Sequence, residues 1–392
     1  MAPNEYVTAS TSIEDSCLAG RALGWQIREG LSAEPDVVIL FLSPHYEHQV
    51  FLHALKQTCR PDMLIGCTSM GAFTSYVQGG GMASALAIRS HEMLFQATIA
   101  RNARADVAQA AEGLVASLSS ADKHPTMQRT LLLFGNGEAG KLDALLSRLL
   151  RLTHGSHQLL GMYAGMNTHY HMAVLYETEA LREGVVALEI LSSRPIGLAS
   201  LPAWSPVGSP MQVTKIRDNT VLSIDDVAPL SLYRSQAEAQ GLAWNAGNDE
   251  EIMRFLLNTP LGIDTGMGQH ICMPCAHTLA DGSVTFLELV PLQGLVQFMR
   301  APASVVVEAT EKMTCSALQY MHGYEPGAAL FFEGEGYRPR SANDFRLELD
   351  AVQGALGLTP YGGCSTRGQY ARVHGQYGAF QRHAPLICIF PR

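Results

Sequence analysis

Two short turns carry most of the side chains in this chain that could do chemistry. Gly66-Cys67-Thr68-Ser69-Met70-Gly71 sets a thiol beside two hydroxyls between glycines, and Gly362-Gly363-Cys364-Ser365-Thr366-Arg367-Gly368 repeats the arrangement and adds a guanidinium. A thiol close to an imidazole can be a nucleophile. Hydroxyls and backbone N–H groups in a tight turn can instead form a nest that faces a ligand. A serine-hydrolase elbow needs glycine where Cys67 stands, so Ser69 does not fit that role. The candidate ligand-binding residues are therefore Cys67, Thr68, Ser69, Cys364, Ser365 and Arg367, together with Arg338 upstream. Each arginine alone reads as a surface residue. Grouped around one turn, Arg338, Arg340 and Arg367 suit a carboxylate, which guanidinium forks bind bidentately.

Two other motifs look chemical and are read as structural. Gly135-Asn136-Gly137-Glu138-Ala139-Gly140-Lys141 has the glycine and lysine spacing of a phosphate loop. Leu142, however, stands where a hydroxyl should hold magnesium, and Glu138 would repel phosphate. A tight strand-to-helix turn is the better reading. Cys272-Met273-Pro274-Cys275-Ala276-His277 lacks the histidine directly after the second cysteine that haem attachment needs. No second Cys/His pair of matching spacing completes a zinc set, and the alternation suits buried strand thiols. Fourteen histidines permit a metal or haem ligand without indicating one. His154/His157 and His169/His171 surround the second glycine turn, and His374 and His383 flank the last strand.

The elements that must position these residues recur three times as apolar strand, polar loop, helix and glycine-rich turn. The copies run from Val37 to Gly71, from Leu131 to Gly165 and from Ala329 to Gly368. From strand start to the first glycine of the turn (Gly66, Gly161 and Gly362) each is roughly 30 residues long, the length of a βαβ unit. Ligands in α/β proteins usually sit at the carboxyl ends of such strands. Ser84–Ser90 with Glu92–Arg101, and His171–Tyr176 with Gly184–Leu191, are expected as strand pairs, and Asp106–Ser120 as an amphipathic helix. Four prolines in Ser192–Pro210 predict a linker or long crossover, dividing the chain into domains 1–200 and 201–392. Beyond it the sequence predicts a hairpin of Met211–Ile216 with Thr220–Ile224 and a helix over Leu230–Glu238. A meander of Cys272–Leu279, Val284–Leu289 and Val296–Met299 follows, then a helix over Ser304–His322. The expected class is α/β: two domains of mixed β-sheets covered by helices, built from strand–helix–strand units with added antiparallel hairpins.

Composition narrows the function classes. With 392 residues, 47% hydrophobic and 16% charged, the chain is an ordinary globular protein. A net charge of −9 argues against a nucleic-acid partner. No apolar run reaches the length of a membrane span, and the N-terminus lacks signal-peptide features. Eight scattered cysteines suit free thiols, so a cytoplasmic location is expected.

Across nearly its whole length the chain resembles the FIST family of bacterial sensory domains. Ile65-Gly66-Cys67-Thr68-Ser69-Met70-Gly71 is similar to that family's Gly-Cys-Ser/Thr-x-x-Gly signature, and Leu160-Gly161-Met162-Tyr163-Ala164-Gly165 to its Gly-Gly-x-Ala-Gly segment. Pro206 through Tyr233, Leu289–Ala301 and Glu325–Phe332 resemble parts of its C-terminal domain. The pattern departs at Glu333–Arg338, which keeps only the arginine of a Cys-x-x-Arg, and at Arg367-Gly368-Gln369. It departs again at Phe380–Ala384, where the family has Asn-Gln-Thr.

The resemblance implies a small-molecule sensor in signal transduction and not an enzyme, with amino acids as the ligands suggested for the family at large. A free-standing chain of this size is similar to the NosP branch, which binds haem, senses nitric oxide and acts in trans on a histidine kinase or cyclic-di-GMP enzyme. Haem b is then the implied cofactor, His383 the candidate iron ligand and His169 and His171 the fallback candidates. A homodimer is compatible with this reading. The alternatives are a sensor of free amino acids or another small carboxylate held by Arg338 or Arg367, and a cysteine-dependent hydrolase using Cys67 or Cys364 with a histidine.

Overall fold

The computed structural model describes residues 3–103, 105–119, 123–135, 139–164, 172–245, 247–264, 269–334, 342–366, 368–372, 381–382 and 384–392. Its threefold pattern extends well beyond strand, helix and turn, to a unit of strand, helix, strand, helix, strand, hairpin and strand. The first unit is β1 (Glu5–Thr11), α1 (Ser16–Gly30), β2 (Val37–Leu42), α2 (His48–Cys59), β3 (Met63–Thr68), the hairpin β4 (Gly71–Thr74) and β5 (Gln78–Gly80), and β6 (Ala83–Arg89). The second is β7 (Met93–Arg101), α3 (Val107–Ala116), β8 (Gln128–Gly135), α4 (Ala139–Leu152), β9 (Gln158–Tyr163), β10 (Val174–Tyr176), β11 (Glu179–Leu181) and β12 (Gly184–Ser192).

The third unit opens with β13 (Gly197–Ser200) and is then interrupted by an insertion. That insertion holds β14 (Ser205–Arg217), β15 (Thr220–Ile224), α5 (Pro229–Ala239), α6 (Asp249–Asn258), β16 (Leu261–Asp264), β17 (Gln269–Cys272), β18 (Pro274–His277), β19 (Val284–Phe286) and β20 (Leu295–Arg300). The unit resumes with α7 (Ala303–Tyr320), β21 (Pro326–Glu333), α8 (Ala342–Leu356), β22 (Tyr361–Ser365), β23 (Gln369–Arg372), β24 (Gln381–Arg382) and β25 (Leu386–Pro391).

Three six-stranded sheets repeat one order: β1-β6-β2-β3-β10-β11, β7-β12-β8-β9-β23-β24 and β13-β25-β21-β22-β4-β5. In each, the central βαβ pair is parallel and the other neighbours are antiparallel. Every hairpin leaves its own unit for another sheet. The first unit's β4-β5 joins the third sheet, the second unit's β10-β11 the first, and the third unit's β23-β24 the second. This cyclic exchange ties the units together through backbone hydrogen bonds.

The inner faces of the sheets share one core that includes Ile39, Phe41, Leu132, Phe134, Leu330 and Phe332. Each outer face is covered by its own helix pair. Leu23 and Leu55 of α1 and α2 pack on the first sheet, Leu114 and Leu149 of α3 and α4 on the second, and Met313 and Val352 of α7 and α8 on the third. Covered on both faces, β2 is buried at every position, which is why Val-Val-Ile-Leu-Phe-Leu is unbroken by polar residues. Side-chain caps start helices where the sequence supplies them: Asp15 accepts from Leu18 N–H and Asp106 from Gln109 N–H. The insertion forms a seven-stranded sheet with its own core, which includes Val213, Tyr233, Leu256 and Phe298. Among the described residues no helix is long and apolar enough to cross a membrane.

The mixed α/β class is as expected, but several pairings differ. β6 and β7 do not pair with each other: β6 lies between β1 and β2, and β7 lies beside β12. β10 likewise pairs with β3 and β11, whereas β12 sits between β7 and β8. The reason is burial. β12 is buried at all nine positions and β6 at six of seven, so each needs a neighbour on both edges. β20 joins β14 and β16 instead of continuing a meander from β19. The proline-bearing window holds β13, which pairs with β25, and the start of β14. Pro195 and Pro202 stand outside the strands, whereas Pro206 lies in β14 opposite Met299 and Pro210 in that strand's irregular stretch between Val207 and Met211.

Candidate functional site

Equivalent positions in the three parallel pairs hold glycine. Gly66 faces Leu40, Gly161 faces Leu133 and Gly363 faces Phe331. A Cβ at these glycines would lie 1.8, 2.0 and 1.8 Å from the facing carbonyl oxygen, so only glycine permits the approach. The exchanged hairpins cover two of them with rings. Tyr370 lies over Gly161 and donates to Leu133 O at 3.0 Å, and Phe73 lies over Gly363. Leu175 is the residue opposite Gly66.

One residue further along stand Cys67, Met162 and Cys364, facing Phe41, Phe134 and Phe332. These six side chains converge where the sheets' inner faces meet, and all are 0% exposed. The Phe41 ring centroid is 6.0 Å from that of Phe134 and 5.7 Å from that of Phe332. Met162 Sδ lies 3.8 Å from Cys67 Sγ and 3.3 Å from Cys364 Sγ. Burial, followed by the neighbouring Cys67 thiol, pushes the Cys364 thiol well above the usual cysteine range. It is protonated at neutral pH and a weak nucleophile.

The next residues form a polar layer at the strand ends. Equivalent backbone bonds close all three turns: Ser69 N–H to Leu42 O at 2.9 Å, Ala164 N–H to Gly135 O at 2.8 Å and Thr366 N–H to Glu333 O at 2.7 Å. Ser69 Oγ shares its proton between Ser365 O at 2.6 Å and Gly71 O at 2.7 Å, joining the first and third units. Thr366 Oγ1 spans its own turn to Gly368 O at 3.1 Å. Thr68 Oγ1 accepts from Ala173 N–H at 2.7 Å. The structure thus brings Cys67, Thr68, Ser69, Cys364 and Ser365 together from turns almost 300 residues apart. Sequence analysis missed Ser43 and His45, directly after β2, whose Oγ and Nδ1 are 2.9 Å apart. Ser43 is buried and His45 exposed. The Ser-Pro-His order at a strand end was the available signal.

Arg338, Arg340, Arg367, His169, His171, His374 and His383 lie outside the described residues, as do Asn136, Gly137 and Glu138 of the phosphate-loop-like segment. His157 belongs to a buried cluster at the opposite end of the second sheet. There Glu189 lies 2.9 Å from His157 Nε2 and 3.0 Å from an Arg129 guanidinium nitrogen, and accepts from Ser119 N–H at 2.7 Å. Cys272 is buried and Cys275 exposed, and His277 pairs with Asp249 at 3.4 Å. Among the described residues no group of three His, Cys, Asp or Glu side chains is placed to hold a metal. A cavity of about 230 Å³ beside α5 and α6 is lined by Gln240, Phe255, Asn258 and Arg300 among others.

Residues 36–227 match the FIST N domain and residues 230–372 the FIST C domain. No curated relative matches the sequence. Among solved structures, the chain is similar to a cyanuric acid hydrolase from A. caulinodans, at 10% identity over 99% of each chain with a TM-score of 0.36. It is also similar to T. maritima PurL complexed with ATP, at 10% identity over 98% of this chain and 71% of that one with a TM-score of 0.22. Scores this low carry no argument about chemistry. The expectation that the protein is not an enzyme has no support in these matches and is withdrawn. The two domain matches span well over half of the sequence, and the chain belongs to the FIST family of sensory domains in signal transduction.

Proposed function

We propose that the protein is a ligand-sensing component of signal transduction whose small-molecule ligand is held at the converging strand ends. The observation that carries this reading is the meeting of three equivalent turns above the Cys67–Met162–Cys364 layer, with Ser43, Ser69, Ser365 and Thr366 gathered there. Strand carboxyl ends are where α/β folds place ligands. The chain leaves these ends into the segments that contain Arg338 and Arg367, and two guanidinium groups suit a small carboxylate, free amino acids included. Binding at a junction shared by three sheets would favour one mutual arrangement of them, which a histidine kinase or cyclic-di-GMP enzyme in trans could read.

Thermal unfolding with a panel of small carboxylates and amino acids tests this. A true ligand at 100 times its Kd stabilises the fold by about 2.7 kcal/mol. Arg367→Ala should abolish that gain, and an unchanged gain in this variant refutes the carboxylate. Protein prepared with haem supplied is the companion measurement. A Soret band lost in His383→Ala would put haem in the carboxylate's place.

A further inference from the structure

We propose a second binding site, for the soft monovalent cation copper(I), formed by Cys67 Sγ, Met162 Sδ and Cys364 Sγ where the three sheets meet. It does not depend on the ligand at the strand ends. Thiolate and thioether sulfurs select copper(I) over hard cations, and a closed zinc site would need a fourth ligand. With metal–sulfur bonds of about 2.3 Å, a trigonal set places its sulfurs about 4.0 Å apart. The observed separations from Met162 Sδ are 3.8 and 3.3 Å, so the sulfurs need only small outward shifts to close around a metal.

A second observation points to the same layer. Gln369 stands opposite Met162 on the same inner face, is 1% exposed, and has neither amide nitrogen nor oxygen hydrogen-bonded among the described residues. A buried amide left unpartnered costs free energy. The fold does not require one there, because the equivalent positions opposite Cys67 and Cys364 are Val174 and Ala72. Copper(I) held by two thiolates and a thioether carries a net negative charge, which would give the unpartnered Gln369 amide N–H a thiolate sulfur to donate to. Binding converts two thiols and one copper(I) ion into a dithiolate–thioether complex and releases two protons, with no electron transferred. The three ligands come from three different sheets, so the metal would clamp all of them.

The test is anaerobic titration of the full-length chain with copper(I) buffered by bicinchoninate, together with X-ray absorption at the copper edge. The expected result is one chelator-resistant equivalent with three sulfurs at about 2.3 Å. Met162→Leu, a volume-conserving change, should weaken retention about tenfold or more, and Cys67→Ser with Cys364→Ser should abolish it. Cys275→Ser with Cys315→Ser, which removes exposed thiols, should leave it intact. Three results would overturn the site: no retained copper, retention unaffected by Met162→Leu, or retention lost with the exposed thiols. Should the core serine variant fail to fold, Met162→Leu and the sulfur shell of the wild-type protein still decide.

Discussion

Replacing Gly363 by alanine asks whether the close crossing of strands holds the strand-end layer together. The new Cβ would stand 1.8 Å from Phe331 O and 2.9 Å from a ring carbon of Phe73. Real Cβ atoms essentially never approach within 3.0 Å, so the oxygen must retreat by more than an ångström. It has no freedom to do so, being backbone in the middle of the parallel ladder that pairs Ala329–Glu333 with Tyr361–Ser365. Overpacking of this kind costs about 1 to 3 kcal/mol, and two strained ladder bonds add about 1 kcal/mol each, so the loss should be about 3 to 5 kcal/mol. Guanidinium unfolding followed by circular dichroism measures it. Gly113→Ala is the control: that glycine is exposed in α3 with nothing within 4 Å of a new Cβ, and alanine there should stabilise by about 0.5 to 1 kcal/mol. A Gly363→Ala protein within about 1 kcal/mol of wild type would refute the reasoning.

Two further variants probe the second sheet. Glu189→Gln removes the carboxylate between Arg129 and His157 and should destabilise by about 3 to 5 kcal/mol, as breaking a buried ion pair does. Burial alone would raise the Glu189 carboxyl, but the His157 and Ser119 hydrogen bonds outweigh it and hold it below its ordinary value of 4.5. A depressed folded-state value means that this stability is present above about pH 4.5 and is lost as pH falls through the lower value. The gap between wild type and variant should therefore narrow in acid, and a gap constant from pH 7 to about pH 3 would contradict the assignment. Tyr370→Phe removes the bond to Leu133 O but keeps the ring over Gly161, so its unfolding midpoint should fall by the equivalent of about 1 kcal/mol. A loss above about 3 kcal/mol would show that the hydroxyl does more than this.

Much of the strand-end layer is legible in the sequence, because close strand crossings demand glycine and buried parallel strands demand unbroken apolar runs. Gly66, Gly161 and Gly363 therefore mark the three turns. Other elements are hidden for a physical reason. α1 goes unread although Ala19, Leu23 and Ile27 recur at helical spacing, because Gly20 and Gly24 lower its helix propensity. Both glycines are contact surface for α2: a Cβ at Gly20 would lie 2.5 Å from Phe51 O, so packing overrides propensity. The insertion between β13 and α7 is hidden similarly, since the third unit is continuous only in space.

The sequence by itself determined which strands are fully buried, where each ends, and that each βαβ pair closes on a glycine. Local sterics and hydrophobic patterning suffice for that. Only the tertiary structure decided that the three glycine turns meet and that each hairpin completes another unit's sheet. It also placed Cys67, Met162 and Cys364 in van der Waals contact range. Pairing across hundreds of residues depends on the joint burial of three inner faces, a condition that no single segment carries.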